Sequence, residues 1–152
     1  MVLWRLVAWF LLLVLKLATN QSSQDVTVSI LIVEDEPSIR AVLTEILEDE
    51  GYSVASVSNG LQALVYLRGY TDRPRLILLD LGMPVMSGWE FREEQQRDGT
   101  IREIPVIIMS ALPGLERIAA VLGVAGCLDK PIDINVLLGM VAQYYQLNSR
   151  HV

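Results

Sequence analysis

From residue 28 onward, short apolar runs alternate with longer amphipathic stretches, and this alternation limits the folds that the chain can adopt. Apolar runs of four or five residues are typical of strands that are buried on both faces of a parallel sheet. The stretches between them repeat apolar residues at helical spacing, as in βαβ units. The sequence therefore predicts an α/β fold around a parallel sheet. The predicted strands are 29–33, 52–57, 76–79, 105–109 and 125–128, and the predicted helices are 37–51, 61–68, 89–97, 115–122 and 136–145.

The first 20 residues have a different composition from the rest of the chain. Leu6–Leu15 contains no polar residue, but a membrane span needs about 20 apolar residues. A signal peptide would have a poor cleavage site, because Lys16 lies close to Ala18. Three interpretations stay open: a membrane tether formed by residues 1–18, a signal-like segment, or a start site assigned too far upstream. The predicted organisation is a hydrophobic segment over 1–20, a polar linker over 21–27, one domain over 28–147 and a tail over 148–152.

Composition excludes several classes of function. The net charge of −6 argues against a nucleic-acid-binding module, which normally carries a basic surface. Cys127 is the single cysteine, so an internal disulfide is excluded. His151 is the single histidine, so neither a histidine metal cluster nor a Ser-His-Asp triad can form. Any chemistry must use carboxylates, hydroxyls, the backbone or a lysine.

Polar residues lie at the carboxyl ends of four of the predicted strands. In open α/β sheets, ligands bind outside the carboxyl ends of the strands, so we expect these side chains to meet at one edge. One of them, Lys130, is the only lysine after the N-terminal segment, which indicates that a compact point charge is needed there. The strand-end residues are Glu34 and Asp35 after the first strand, Asp80 after the third, Ser110 after the fourth and Lys130 after the fifth.

This set of residues suits phosphoryl chemistry. Three clustered carboxylates repel one another, which predicts raised pKa values in the absence of a cation. Mg²⁺ binds one or two carboxylates together with waters and phosphate oxygens. A carboxylate beside Mg²⁺, a hydroxyl and a lysine can accept a phosphoryl group, with the cations neutralising charge on the transferred oxygens.

Four sequence motifs, each at a predicted strand end, carry a resemblance to a known family. The chain resembles the receiver domain of two-component response regulators over about residues 28–147. This resemblance implies a flavodoxin-like, doubly wound five-stranded parallel sheet of order 2-1-3-4-5. The motifs are ILIVEDEP (30–37), LILLDLGMPVMSG (76–88), PVIIMSA (105–111) and GCLDKP (126–131).

The resemblance also implies a role for each site residue. Asp80 would accept a phosphoryl group, with Asp35 as a direct Mg²⁺ ligand and Glu34 acting mostly through water. The backbone carbonyl of Gly82 would be the third protein ligand of the metal. Ser110 would bind a phosphoryl oxygen after modification. The resemblance further implies that Lys130 pairs with Asp80 and that the Lys130–Pro131 bond is cis.

Two positions depart from the pattern of the family. Cys127 stands three residues before the lysine, where the family usually has an aromatic ring that follows the activation state. This puts the ring movement of the switch in doubt. Ser87 stands where the family often has Asp, and we expect this change to be mild.

Three other functions compete with the phosphoacceptor. A haloacid dehalogenase-type hydrolase would need a second Asp at position 82, which is Gly82. A P-loop NTPase would need a GxxxxGK[ST] motif, which the sequence lacks. A pseudo-receiver would bind a partner without phosphorylation, and the intact site argues against it.

The resemblance implies partners and a location as well. The expected phosphodonor is a sensor histidine kinase or a histidine phosphotransfer protein. The expected output is contact with a downstream protein through the fourth helix, fifth strand and fifth helix, since only seven residues follow Tyr145. The protein would catalyse only its own phosphorylation and dephosphorylation. Its phosphodonors are cytoplasmic, so we expect a cytoplasmic protein, with a tether to the inner face of the membrane as the alternative.

Overall fold

The five apolar segments form one parallel sheet in the computed structural model, which describes residues 28–148. The strand order is β2-β1-β3-β4-β5, so the predicted 2-1-3-4-5 fold is confirmed. The predictions for residues 1–20, for the linker 21–27 and for the tail beyond residue 148 lie outside the described residues. The strands are β1 (Ile30–Val33), β2 (Val54–Val57), β3 (Leu76–Asp80), β4 (Val106–Ser110) and β5 (Gly126–Asp129).

Helices connect successive strands and cover both faces of the sheet. One core cluster joins the sheet to α2, α3 and α4, and the other joins it to α1 and α5. Strands β1, β3 and β4 are buried along their whole length, as their uninterrupted apolar runs predicted. The helices are α1 (Pro37–Asp49), α2 (Gly60–Gly69), α3 (Gly88–Arg97), α4 (Leu115–Leu122) and α5 (Ile134–Asn148).

Several element boundaries differ from the prediction by two or three residues, and two of them have a clear structural cause. Strand β2 begins at Val54 rather than at residue 52, because Tyr52 N–H still donates to Leu47 O in the turn that ends α1. Helix α5 begins at Ile134 rather than at residue 136. The Asp133 side chain accepts from the next amides along the chain and so caps the helix earlier than the apolar pattern indicated.

No helix among residues 28–148 is long and apolar enough to cross a membrane.

Candidate functional site

Parallel strand direction brings the predicted site residues to one edge of the sheet. Asp80 is the last residue of β3, and Ser110 is the last residue of β4. Glu34 and Lys130 directly follow β1 and β5. All five strands are parallel and in register along their length. The side chains of these four residues therefore line one cleft, as the sequence predicted.

Lys130 connects two of the carboxylates at this edge. Its Nζ lies 2.8 Å from Glu34 Oε2 and 3.1 Å from Asp80 Oδ1. The Glu34 side chain is 1% exposed, and its other oxygen accepts from the backbone N–H of Glu36 at 3.1 Å. Both oxygens of Glu34 are thus engaged before any ligand enters the cleft.

Burial and ion pairing have opposite effects on the pKa values of Glu34 and Lys130. Burial raises the pKa of Glu34 above its ordinary value, and the hydrogen bond from Lys130 opposes this only in part. The nearby charge of Asp80 raises the pKa of Glu34 further but is a smaller cause. Burial lowers the pKa of Lys130, but its bonds to Glu34 and Asp80 more than offset this, so the pKa is raised. The repulsion that the sequence predicted is present for Glu34, but burial matters more.

Three carboxylates are close enough to share a cation. Oxygens of Glu34, Asp35 and Asp80 lie within 4.8 Å of one another. Asp35 is half-buried and Gly82, in the same cleft, is exposed. An all-oxygen donor set of this kind matches the preference of Mg²⁺ and not that of Zn²⁺, which favours nitrogen and sulfur ligands.

The loop after β3 is held tightly against the end of that strand. A Cβ atom at Gly88 would collide with the carbonyl oxygen of Asp80, so only glycine allows α3 to start here. Ser87 caps α3: its Oγ accepts from Glu90 N–H at 3.3 Å, and its own N–H donates to Glu90 Oε2 at 2.8 Å. The serine that departs from the family pattern thus forms a capping box.

Ser110 and Lys130 are joined through the backbone as well as through the cleft. The N–H of Lys130 donates to Ser110 O at 2.9 Å. Ser110 is 5% exposed, and its Oγ accepts from Leu112 N–H at 3.1 Å. It does not cap α4, whose N-cap is Gly114. The Lys130–Pro131 peptide bond is cis.

Apolar side chains also line the cleft, which has a volume of about 510 Å³. Trp89, Leu112 and Ile39 lie beside the carboxylates. Trp89 is 38% exposed, although it lies in the first turn of α3. Phe91 is fully buried, and two residues of helix rotation turn Trp89 away from that buried face.

Cys127 is a small, half-buried residue of β5. It packs against the core cluster that includes α4. Burial raises the pKa of its thiol, which makes it less reactive at neutral pH. The side chain therefore acts as a small apolar group in this position.

Arg40 contacts the site, although no sequence pattern indicated it. Its Nη1 donates to Glu34 O at 2.6 Å and to Asp35 O at 3.3 Å. The contact depends on how α1 folds back over the end of β1. An arginine one turn into a helix carries no sequence signal for such a contact, since most arginines at that position point into solvent.

A family model for the response regulator receiver domain matches residues 30–142. The chain belongs to the response regulator receiver family. It is therefore a receiver domain of two-component signalling, as the four motifs indicated.

Two relatives match over nearly their whole length. The sporulation initiation phosphotransferase F of Bacillus subtilis is 39% identical over 79% of this chain and 95% of its own. The polar-differentiation response regulator DivK of Brucella anthropi is 32% identical over 76% of this chain and 94% of its own.

Solved receiver structures have the same fold. Chemotaxis response regulator CheY4 of Vibrio cholerae is 28% identical, with a TM-score of 0.69 over 78% of this chain and 98% of its own. The receiver domain of a Pseudomonas aeruginosa sensor histidine kinase is also 28% identical. Its TM-score is 0.69 over 78% of this chain and 97% of its own. That structure has a magnesium ion coordinated in its active site cleft.

Proposed function

We propose that Asp80 accepts a phosphoryl group from a phosphohistidine of a sensor histidine kinase or a histidine phosphotransfer protein. The observation that carries this proposal is the position of the Asp80 carboxylate, 3.1 Å from Lys130 and within reach of two further carboxylates. Membership of the receiver family supports it, as does the similarity to a relative named as a phosphotransferase.

The reaction moves one phosphoryl group from the donor imidazole to Asp80. An oxygen of Asp80 attacks phosphorus, a P–O bond forms, and the P–N bond to the donor imidazole breaks with its electron pair passing to nitrogen. Lys130 is placed to pair with the transferred oxygens once Asp80 no longer carries the full negative charge. Hydrolysis of the resulting acyl phosphate returns Asp80 to its carboxylate form.

Mg²⁺ would be held by Asp35, Asp80 and the carbonyl of Gly82. When bound, the metal supplies positive charge that stabilises the transferred phosphoryl oxygens. Glu34 would contact it through water, because both of its oxygens already accept hydrogen bonds from Lys130 and Glu36. The magnesium ion in the related Pseudomonas cleft supports this assignment.

Phosphorylation would then change the surface that a downstream protein contacts. Ser110 would move its hydroxyl toward the phosphoryl group and give up the bond from Leu112 N–H. Leu112 lies in the connection that leads into α4. The output surface would thus be formed by α4, β5 and α5. Because histidine phosphodonors act in the cytoplasm, we place the receiver there.

Acetyl phosphate labelling tests the proposal directly. The wild-type protein should gain one phosphoryl group only in the presence of Mg²⁺, as read by intact mass. Asp80→Asn should gain none, because an amide is not a competent nucleophile, while its thermal unfolding stays cooperative. Labelling of Asp80→Asn at the wild-type level would refute the acceptor assignment. A wild-type protein that is never labelled would indicate a binding module that uses the fold without phosphorylation.

A further inference from the structure

The turn that carries the acidic pair is tied down by one side chain from the following helix. Arg40, in the first turns of α1, donates through Nη1 to the carbonyl oxygens of both Glu34 and Asp35. Its own N–H donates to Glu36 O at 3.0 Å within the helix. Arg40 therefore connects the start of α1 to the turn that follows β1.

The contacts hold the backbone carbonyl groups of the acidic pair and leave the carboxylates to other partners. The Glu34 side chain is held independently, by Lys130 at 2.8 Å and by the N–H of Glu36 at 3.1 Å. The Asp35 side chain is only half-buried. The orientation of Asp35 thus depends on its backbone, and Arg40 bonds to the carbonyl of that residue.

We infer that Arg40 is a positioning residue for the metal site, and that it acts by holding the peptide groups of Glu34 and Asp35. This inference rests on the proposed function, since it assumes that Asp35 and Asp80 bind Mg²⁺. Groups that orient metal ligands through hydrogen bonds affect metal affinity without touching the ion. A planar guanidinium suits this role, because one nitrogen can serve two carbonyl oxygens in a fixed geometry.

Positioning by Arg40 and a simple charge effect predict opposite changes in Mg²⁺ affinity when Arg40 is replaced. Arg40 carries a positive charge close to the acidic cluster, and removing it would strengthen Mg²⁺ binding if charge alone mattered. If positioning matters, removing it weakens binding in spite of the lost repulsion. The direction of the change in affinity therefore separates the two explanations.

The experiment uses the full chain and measures Mg²⁺ affinity by calorimetry. Arg40→Met keeps the aliphatic stem and removes the donors and the charge, and we expect affinity to fall on the order of tenfold. Arg40→Lys keeps the charge and one donating group, and we expect an intermediate affinity. Arg97→Met removes one positive charge from an exposed position on α3, paired with Glu93 and Glu94, and should leave the affinity unchanged.

A second measurement is made on the metal-free protein. Amide exchange at Asp35 and Glu36 should become faster in Arg40→Met, while the thermal midpoint shifts no more than in Arg97→Met. An Arg40→Met protein that binds Mg²⁺ as tightly as the wild type, or more tightly, would overturn the inference alone. A wild-type protein that does not bind Mg²⁺ would overturn the proposed metal site and this inference together.

Discussion

The ammonium nitrogen of Lys130 lies 2.8 Å from a carboxylate oxygen of Glu34, although 96 residues separate the two in sequence. Asp80 lies slightly farther from the same nitrogen, at 3.1 Å. One cation thus balances a fully buried carboxylate and the proposed phosphoacceptor. The pairing joins the ends of β1 and β5 across the site, so the same contact stabilises the fold and orients the proposed phosphoacceptor.

Replacing this lysine should cost stability that Mg²⁺ can partly restore. In Lys130→Met, the buried Glu34 loses its cation, and we expect the free energy of unfolding to fall by about 2–3 kcal/mol. Mg²⁺ would supply positive charge to the same carboxylates, so it should raise the thermal midpoint of the variant more than that of the wild type. Calorimetric scans with and without the metal measure both effects.

Arg68→Met is the control for this prediction. It breaks the pair with Asp98, in which the arginine side chain is 49% exposed, and such exposed pairs contribute little to stability. Equal destabilisation by Lys130→Met and Arg68→Met would contradict the importance given to the buried pair.

Much of this site could be predicted from the sequence, because parallel strands place their carboxyl ends at one edge. Asp80, Ser110 and Lys130 were found by that rule alone. The contact between Lys130 and Asp80 was implied by the family resemblance, and the structure has it. The shorter contact with Glu34 could not be found in this way, because it depends on side-chain direction and burial. The Arg40 contact could not be predicted either, since it needs the angle at which α1 leaves β1.

A buried arginine links α3 to the end of α4, and sequence alone gave no indication of it. Arg92 is 7% exposed, and it donates to Leu122 O at 3.0 Å and to Gly123 O at 2.8 Å. Burial lowers the pKa of its guanidinium. The carbonyl groups at a helix C-terminus otherwise lack hydrogen-bond partners. A cation there also interacts favourably with the negative end of the helix dipole.

Loss of these bonds should destabilise the protein and loosen α4. We expect Arg92→Met to lower the free energy of unfolding by about 1–3 kcal/mol, as measured by urea denaturation. Amide exchange near Gly123 should become faster in the variant. Arg97→Met, on the exposed face of the same helix, should change neither quantity clearly. If the two variants behave alike, Arg92 does not hold the end of α4.

The carboxylate of Asp98 should make stability depend on pH in the acidic range. Hydrogen bonds from the Thr100 side chain and backbone, followed by the bond from Arg68, lower its pKa from an ordinary 3.8 to about 2. Between these values the unfolded chain binds more protons than the folded one, so stability falls as pH falls. The stabilisation is fully present above about pH 5.

Urea unfolding at a series of pH values tests this assignment. Asp98→Asn should be less stable than the wild type near pH 6, and the difference should shrink as the pH falls toward about 2. Thr100→Val removes the hydroxyl donor and should reduce the same pH dependence in part. A stability difference that stays constant over the whole range would show that the Asp98 charge contributes nothing.

Phosphorylation should alter the surface of α4, β5 and α5 without a moving ring at position 127. Cys127 pairs with Ile108 across β4 and β5 and packs on the core next to α4. Because no aromatic side chain occupies this position, we expect a smaller change than in receivers that carry one. Amide exchange of the free and beryllofluoride-bound protein, with Mg²⁺ present, measures the change.

Cys127→Ala is the matched variant for the switch. A small apolar residue should preserve the exchange response if Cys127 acts only by packing. Loss of the response in this variant would mean that the thiol takes part in the switch. Protection confined to the loop after Asp80 in the wild type would contradict the proposed output surface.

The domain should fold without its first 21 residues, because the described part of the sheet takes no strand from them. Strand β1 begins at Ile30, and the residue ahead of it is already paired, with Ser29 N–H donating to Ser53 O at 2.8 Å. A chain that starts at Ser22 should therefore match the full chain in urea midpoint, Mg²⁺ affinity and labelling of Asp80. Fractionation of the native host, with intact-mass analysis of the recovered protein, then separates the interpretations of the segment. A tether gives the full chain in the membrane fraction, a signal-like segment gives a shortened chain outside the cytoplasm, and a start site assigned too far upstream gives a shortened chain in the cytoplasm. Aggregation of the shorter chain, or loss of its labelling, would show that the receiver needs residues before Ser22.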